Sequence, residues 1–169
     1  MKGLTLLMTV VTGVFFTVAT SLGQERGFKE VTPVEANKIL SQSGDAVLID
    51  VRSQSEYEFV GHPPMAFNLP LMFWDPESYS FKPNPNFKKD LGERVSKDKT
   101  VFFMCRSGGR SAKAAQIALS LGFKRVFNVI EGFEGEKDSD GHRTVNGWKN
   151  AGLPYTFKVI DKLRYQGPK

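Results

Sequence analysis

Two periodicities of apolar and polar positions divide this chain into alternating strands and helices. Ala46-Val47-Leu48-Ile49 and Val101-Phe102-Phe103-Met104 are unbroken apolar runs bounded by turn residues. Such runs predict strands covered on both faces, as in a parallel sheet. Val126 to Ile130 predicts a further strand, and Phe28 to Val31 and Ala66 to Leu69 predict two short ones. Between them the helical period takes over. Thr32-Pro33-Val34-Glu35 places an N-cap, a proline at the first helical position and the glutamate of a capping box, opening a helix to about Ser41. Ser53-Gln54-Ser55-Glu56 is a second capping box, opening a helix to about Phe59 that Gly61-His62-Pro63-Pro64 breaks. Phe87 to Val95 predicts another helix. From Ser111 to Leu121, Ala114, Ile117, Ala118 and Leu121 share one face while Lys113, Gln116 and Ser120 face away, with Gly122 as the cap.

The remaining stretches lack a period. Leu71 to Asn86 mixes Phe73, Trp74, Tyr79 and Phe81 with three prolines and is expected to be irregular, either a packed excursion or a wall of a pocket. Glu131 to Asn146 is polar and glycine-rich and reads as a solvated loop. Its Asp138-Ser139-Asp140-Gly141 lacks the remaining ligands of a calcium loop. Gly147 to Ala151 predicts a short helix stopped by Gly152-Leu153-Pro154, and Tyr155, Phe157 and Val159 alternate as an added strand or arm would. Strands alternating with helices predict an α/β domain, doubly wound, with a central, mainly parallel five-stranded sheet flanked by helices.

Composition narrows the classes. The chain has 169 residues, 40% hydrophobic and 24% charged, with a formal charge of +5, which fits one globular domain. No basic run or aromatic-interleaved patch points to nucleic acid. Lys2, the apolar run from Leu4 to Ala19 and the small residues through Gly23 form the pattern of an export signal, with cleavage between Ala19 and Gln24. Residues 1–23 are therefore expected to be a signal and 24–169 one domain, its core about 28–155 and an extension at 156–169. The domain is expected to be periplasmic or extracellular, held at a membrane only if the leader stays uncleaved.

Candidate chemistry converges on the single cysteine. Cys105 follows an apolar strand and opens the loop Arg106-Ser107-Gly108-Gly109-Arg110 before the helix at Ser111. In parallel sheets ligands bind beyond the carboxyl ends of strands. A glycine-rich loop there can turn successive N–H groups inward as an anion nest, and the following helix adds its positive end. Both favour a thiolate at Cys105. One cysteine with only two histidines, His62 and His142, makes neither a zinc site nor an obvious Cys–His pair. His62, between Gly61 and Pro63, is more simply a turn residue with a structural hydrogen bond.

Three stretches resemble the rhodanese family of sulfurtransferases: Asp50-Val51-Arg52 with Glu56-Tyr57 and Gly61-His62-Pro63; Cys105 to Ser111; and Gly147-Trp148 to Leu153-Pro154. The resemblance implies that Cys105 takes the outer sulfur of a donor such as thiosulfate as a persulfide. A thiol or protein acceptor then removes that sulfur, and no separate cofactor is needed. It implies that the loop N–H groups hold the sulfur and that Arg106, with Arg110 in second place, attracts a small anionic donor. Asp50, Arg52 and Glu56 would form a structural ion-pair and hydrogen-bond set. Three departures from the family pattern concern the pocket: Gly61-His62-Pro63-Pro64-Met65-Ala66 stands where the family commonly reads Gly-His-Ile-Pro-Gly-Ala, Gly135 to Val145 lengthens the link before Gly147-Trp148, and Leu71 to Asn86 is long. The rivals are a persulfide carrier serving a partner protein and a cysteine phosphatase. The phosphatase loop needs one residue more than the four between Cys105 and Arg110.

Overall fold

A computed structural model describes residues 27–167. The expected export signal lies outside the described residues. The strands are β1 (Lys29–Val31), β2 (Ala46–Asp50), β3 (Phe67–Asn68), β4 (Met72–Asp75), β5 (Ser80–Pro83), β6 (Thr100–Met104) and β7 (Arg125–Val129). The helices are α1 (Pro33–Gln42), α2 (Gln54–Phe59), α3 (Phe87–Arg94) and α4 (Gly109–Ser120). Five strands form one sheet in the order β1-β7-β6-β2-β3, every neighbouring pair parallel. The expected doubly wound α/β architecture is present.

The apolar runs are strands because both faces of the sheet are covered. Ile49, Val51, Val101 and Phe103 pack on one face with Phe87 and Leu91 of α3 and Ala114, Ala115 and Ala118 of α4. Leu48, Phe102 and Met104 point to the other face, against Ala36 of α1, Phe133 and Trp148. Both capping boxes form as read: Thr32 with Glu35 opens α1 and Ser53 with Glu56 opens α2. His62 is buried, stacks on Tyr57 at 3.6 Å and places Nδ1 2.9 Å from the Tyr57 carbonyl, a structural residue as its setting predicted.

Two expectations are corrected. Leu71 to Asn86 is not irregular: β4 and β5 pair as an antiparallel hairpin, with Trp74 opposite Phe81 and Met72 opposite Pro83. The prolines misled because each occupies a place where a missing N–H is tolerated, Pro76 and Pro85 in turns and Pro83 at the end of a two-stranded ribbon. Gly147 to Ala151 is a single turn, closed by the Ala151 N–H donating to the Gly147 carbonyl at 2.9 Å, rather than a helix. Gly152 takes a positive φ of 68°, which ends any helical run. The C-terminal stretch crosses back over the domain. Thr156 bridges to His62, the Asn68 N–H donates to the Leu163 carbonyl, and the buried Tyr165 hydroxyl donates to Asp90 at 2.7 Å.

Candidate active site

Cys105 leaves the carboxyl end of β6, the central strand between β7 and β2, and α4 starts four residues later. The turn between them depends on one glycine. Gly108 has φ of 95°, and a Cβ there would lie 1.9 Å from the Ile130 carbonyl oxygen, so only a glycine fits. That turn brings the Gly108 N–H to within 3.2 Å of Cys105 Sγ. The Ser111 hydroxyl, buried in the first turn of α4, reaches the same sulfur at 3.4 Å and the Gly108 carbonyl at 2.8 Å. The sulfur thus accepts from the Gly108 N–H at the positive end of a twelve-residue helix, with the Ser111 hydroxyl beside it to give its one proton either to Sγ or to the Gly108 carbonyl.

The carbonyl side of the loop is tied down by Glu131 to Gly135. The Phe133 N–H donates to the Cys105 carbonyl at 2.8 Å, and the Glu134 and Gly135 N–H groups donate to the Arg106 carbonyl at 3.0 and 3.1 Å. In trans peptides each of these carbonyls is antiparallel to the following N–H, so the N–H groups of Arg106 and Ser107 turn away from that segment. Gly132 allows this approach: a Cβ on it would come within 2.5 Å of the Cys105 carbonyl oxygen. Gly147-Trp148 buttresses the same segment from behind, the Trp148 N–H donating to the Gly132 carbonyl and Lys149 N–H to that of Phe133.

The charged residues form two pairs. Arg52 is buried and grips Asp50 through Nε and Nη2, at 2.9 and 2.6 Å, while Nη2 also donates to the Gly61 carbonyl at 2.7 Å. Its guanidinium lies over the Phe133 ring at 4.3 Å. Burial pulls the Arg52 pKa down, but the Asp50 charge and hydrogen bond outweigh it and hold it raised. Glu56 pairs instead with the active-site loop: Arg110 Nη1 and Nη2 donate to its two oxygens at 2.7 and 2.5 Å. Burial alone would raise the Glu56 pKa, yet the Arg110 hydrogen bond and charge, with the Ser53 donors, bring it from 4.5 to about 2. Phe81 of the hairpin lies over Arg110 at 5.3 Å, so the 71–86 excursion does wall this site.

Cys105 to Arg110 form one loop around Sγ, and Asp50 pairs with Arg52. Glu56 joins the loop rather than that pair, and Arg110 is engaged by it, leaving Arg106 as the exposed cation of the loop. Gly132 and Phe133 carried no role in the sequence reading, Ser111 only closed the loop stretch, and Phe81 entered only as one of the aromatics of the 71–86 excursion. Ser111 had a signal: a hydroxyl in the buried stripe it shares with Ala114, Ala115 and Ala118. Among the described residues, no group of three His, Cys, Asp or Glu side chains is placed to hold a metal, and no helix is long and apolar enough to cross a membrane.

A parallel α/β domain with a lone thiol on a short nest-like loop defines the class. The family model of the rhodanese-like domain matches residues 32–138, and the chain belongs to that family. It is 30% identical over 127 residues to the thiosulfate sulfurtransferase GlpE of Actinobacillus pleuropneumoniae, covering 75% of this chain and 92% of that protein. The crystal structure of Rv0390 from M. tuberculosis matches with a TM-score of 0.68 at 35% identity, over 77% of this chain and 98% of the other. The polysulfide-sulfur transferase of Wolinella succinogenes shares the fold, with a TM-score of 0.52 at 22% identity over 77% and 79% of the two chains.

Proposed function

We propose that this protein is a sulfurtransferase that moves a sulfane sulfur from a donor such as thiosulfate to a thiophilic acceptor through a persulfide on Cys105. The observation that carries this reading is the Gly108 N–H donating to Sγ, with the Ser111 hydroxyl beside the same sulfur, in a loop too short to ring a phosphate. The Cys105 thiolate attacks the outer sulfur of thiosulfate. The donor S–S bond breaks, sulfite leaves with the bonding electron pair, and Cys105 carries an anionic persulfide. The N–H groups at the positive end of α4 stabilise that charge. An acceptor thiolate then takes the terminal sulfur, and the Cys105 thiolate is restored. The transferred atom rides on the protein covalently, so the cycle requires no further cofactor. The pattern of the leader supports a domain outside the cytoplasm, where the acceptor would be a thiol or a protein.

A carrier role draws on one observation: Trp74, Tyr79 and Phe81 are exposed on the hairpin beside Arg110, where a partner could dock. Mass spectrometry after treatment with thiosulfate, polysulfide or persulfide tests the central claim. The expected result is a gain of one sulfur atom, about 32 Da, on Cys105, abolished by Cys105→Ser. No gain from any of the three donors would sink it. Stoichiometric loading with slow turnover on free acceptors would favour the carrier, and hydrolysis of an aryl phosphate would favour the phosphatase.

A further inference from the structure

The charges around Cys105 bear on which donor it accepts, and this inference rests on the sulfurtransferase reading. Two arginines belong to the loop. Arg110 is held by Glu56 in a two-pronged ion pair whose side chains are only 17% and 16% exposed. A pair that close and that sheltered presents a dipole rather than a free cation to the site. Arg52, beyond it, is likewise matched by Asp50, with Glu134 Oε1 4.0 Å from its Nη1 as a second carboxylate. Among the described residues no carboxylate lies within ion-pair distance of Arg106, which is exposed. The loop therefore offers an incoming anion one free positive charge, while the attacking sulfur is itself an anion.

We infer that the site is tuned to a donor carrying one negative charge, an organic persulfide, over the dianion thiosulfate, and that Glu56 sets this preference by neutralising Arg110. The transfer balances in the same way with either donor. The Cys105 thiolate attacks the terminal sulfur of R–S–S⁻, the donor S–S bond breaks, R–S⁻ leaves with the electron pair, and the new Cys105 S–S bond carries the remaining charge. Glu56 never touches the reacting atoms. It is a positioning and specificity residue acting through Arg110.

Glu56→Gln isolates the charge, because glutamine can also serve as the third residue of a capping box. Loading of Cys105 is followed over time by mass spectrometry, with thiosulfate and with the persulfide of 2-mercaptoethanol as probes. The wild-type chain should load faster from the persulfide. Glu56→Gln should speed loading from thiosulfate about tenfold and from the persulfide much less, since the uncovered Arg110 rewards the extra negative charge. The neutral pair Glu56→Gln with Arg110→Met should return the ratio of the two rates to the wild-type value, which a mere loosening of the loop would not do. The inference is overturned by a ratio that Glu56→Gln leaves unmoved, by a double variant that keeps the single variant's ratio, or by wild-type loading that is faster from thiosulfate. Should Glu56→Gln not fold, Arg106→Gln decides: it should slow thiosulfate more than the persulfide, and equal slowing contradicts the inference. If neither probe nor polysulfide adds sulfur to the wild type, the sulfurtransferase reading itself has failed.

Discussion

Two arginine–carboxylate pairs flank the central strands, and they differ in what encloses them. Arg52 and Asp50 are two residues apart, completely buried, and wrapped by the Gly61 carbonyl and the Phe133 ring. Arg110 and Glu56 are 54 residues apart and sit where α2 meets the active-site loop, still partly open to solvent. Arg52–Asp50 ties the end of β2 to the turn after α2 and to the segment that holds the loop from below. Arg110–Glu56 ties the loop itself. Similar chemistry therefore acts on the fold in one place and on the site in the other, because the effect of a charge depends on how much water and chain surround it.

The largest separation of the two should come from Arg52→Ala. It leaves Asp50 buried without its partner, at a cost of about 3 to 5 kcal/mol. Chemical denaturation should show this with its midpoint well below that of the wild type, and a midpoint near the wild-type value would mean that Asp50 is relieved in some other way. Glu56→Gln should cost less, and the cost should depend on pH. The folded Glu56 titrates near 2 against an ordinary value of 4.5, so the unfolded chain binds the proton first. The stability that Glu56 supplies is thus complete above about pH 4.5 and disappears as pH falls toward 2, up to about 3 kcal/mol in all. Melting curves of wild type and variant should converge across that window, and a gap that persists at pH 2 would place the effect elsewhere. Arg106→Gln should have the smallest effect on the fold, within about 0.5 kcal/mol, because it removes an exposed, unpaired side chain. Its consequence should appear in sulfur loading instead, and a parallel loss of melting temperature and activity would break the contrast between loop charge and core charge.

Much of the architecture was legible in the chain because it is written locally. Thr32 with Glu35 and Ser53 with Glu56 are three residues apart, and both capping boxes form as read. Unbroken apolarity in Ala46 to Ile49 and Val101 to Met104 announced strands buried on both faces, and the strand–loop–helix around Cys105 is present at the end of the central strand. The hairpin was hidden because prolines read as breakers when the partner strand is unknown. A short helix at Gly147 was expected, stopped by Gly152-Leu153-Pro154, but in the fold the backbone there is recruited to hold Gly132 and Phe133.

From sequence alone came the sheet's class, the helix starts and the candidate nucleophile, each set by periodicity or by neighbours within a few residues. The tertiary structure alone decided that Glu56 serves Arg110, that Gly108 must be glycine because Ile130 passes beneath it, and that Glu131 to Gly135 hold the loop's carbonyls. Those contacts join residues tens of positions apart, and only packing of the whole chain brings them within hydrogen-bonding distance.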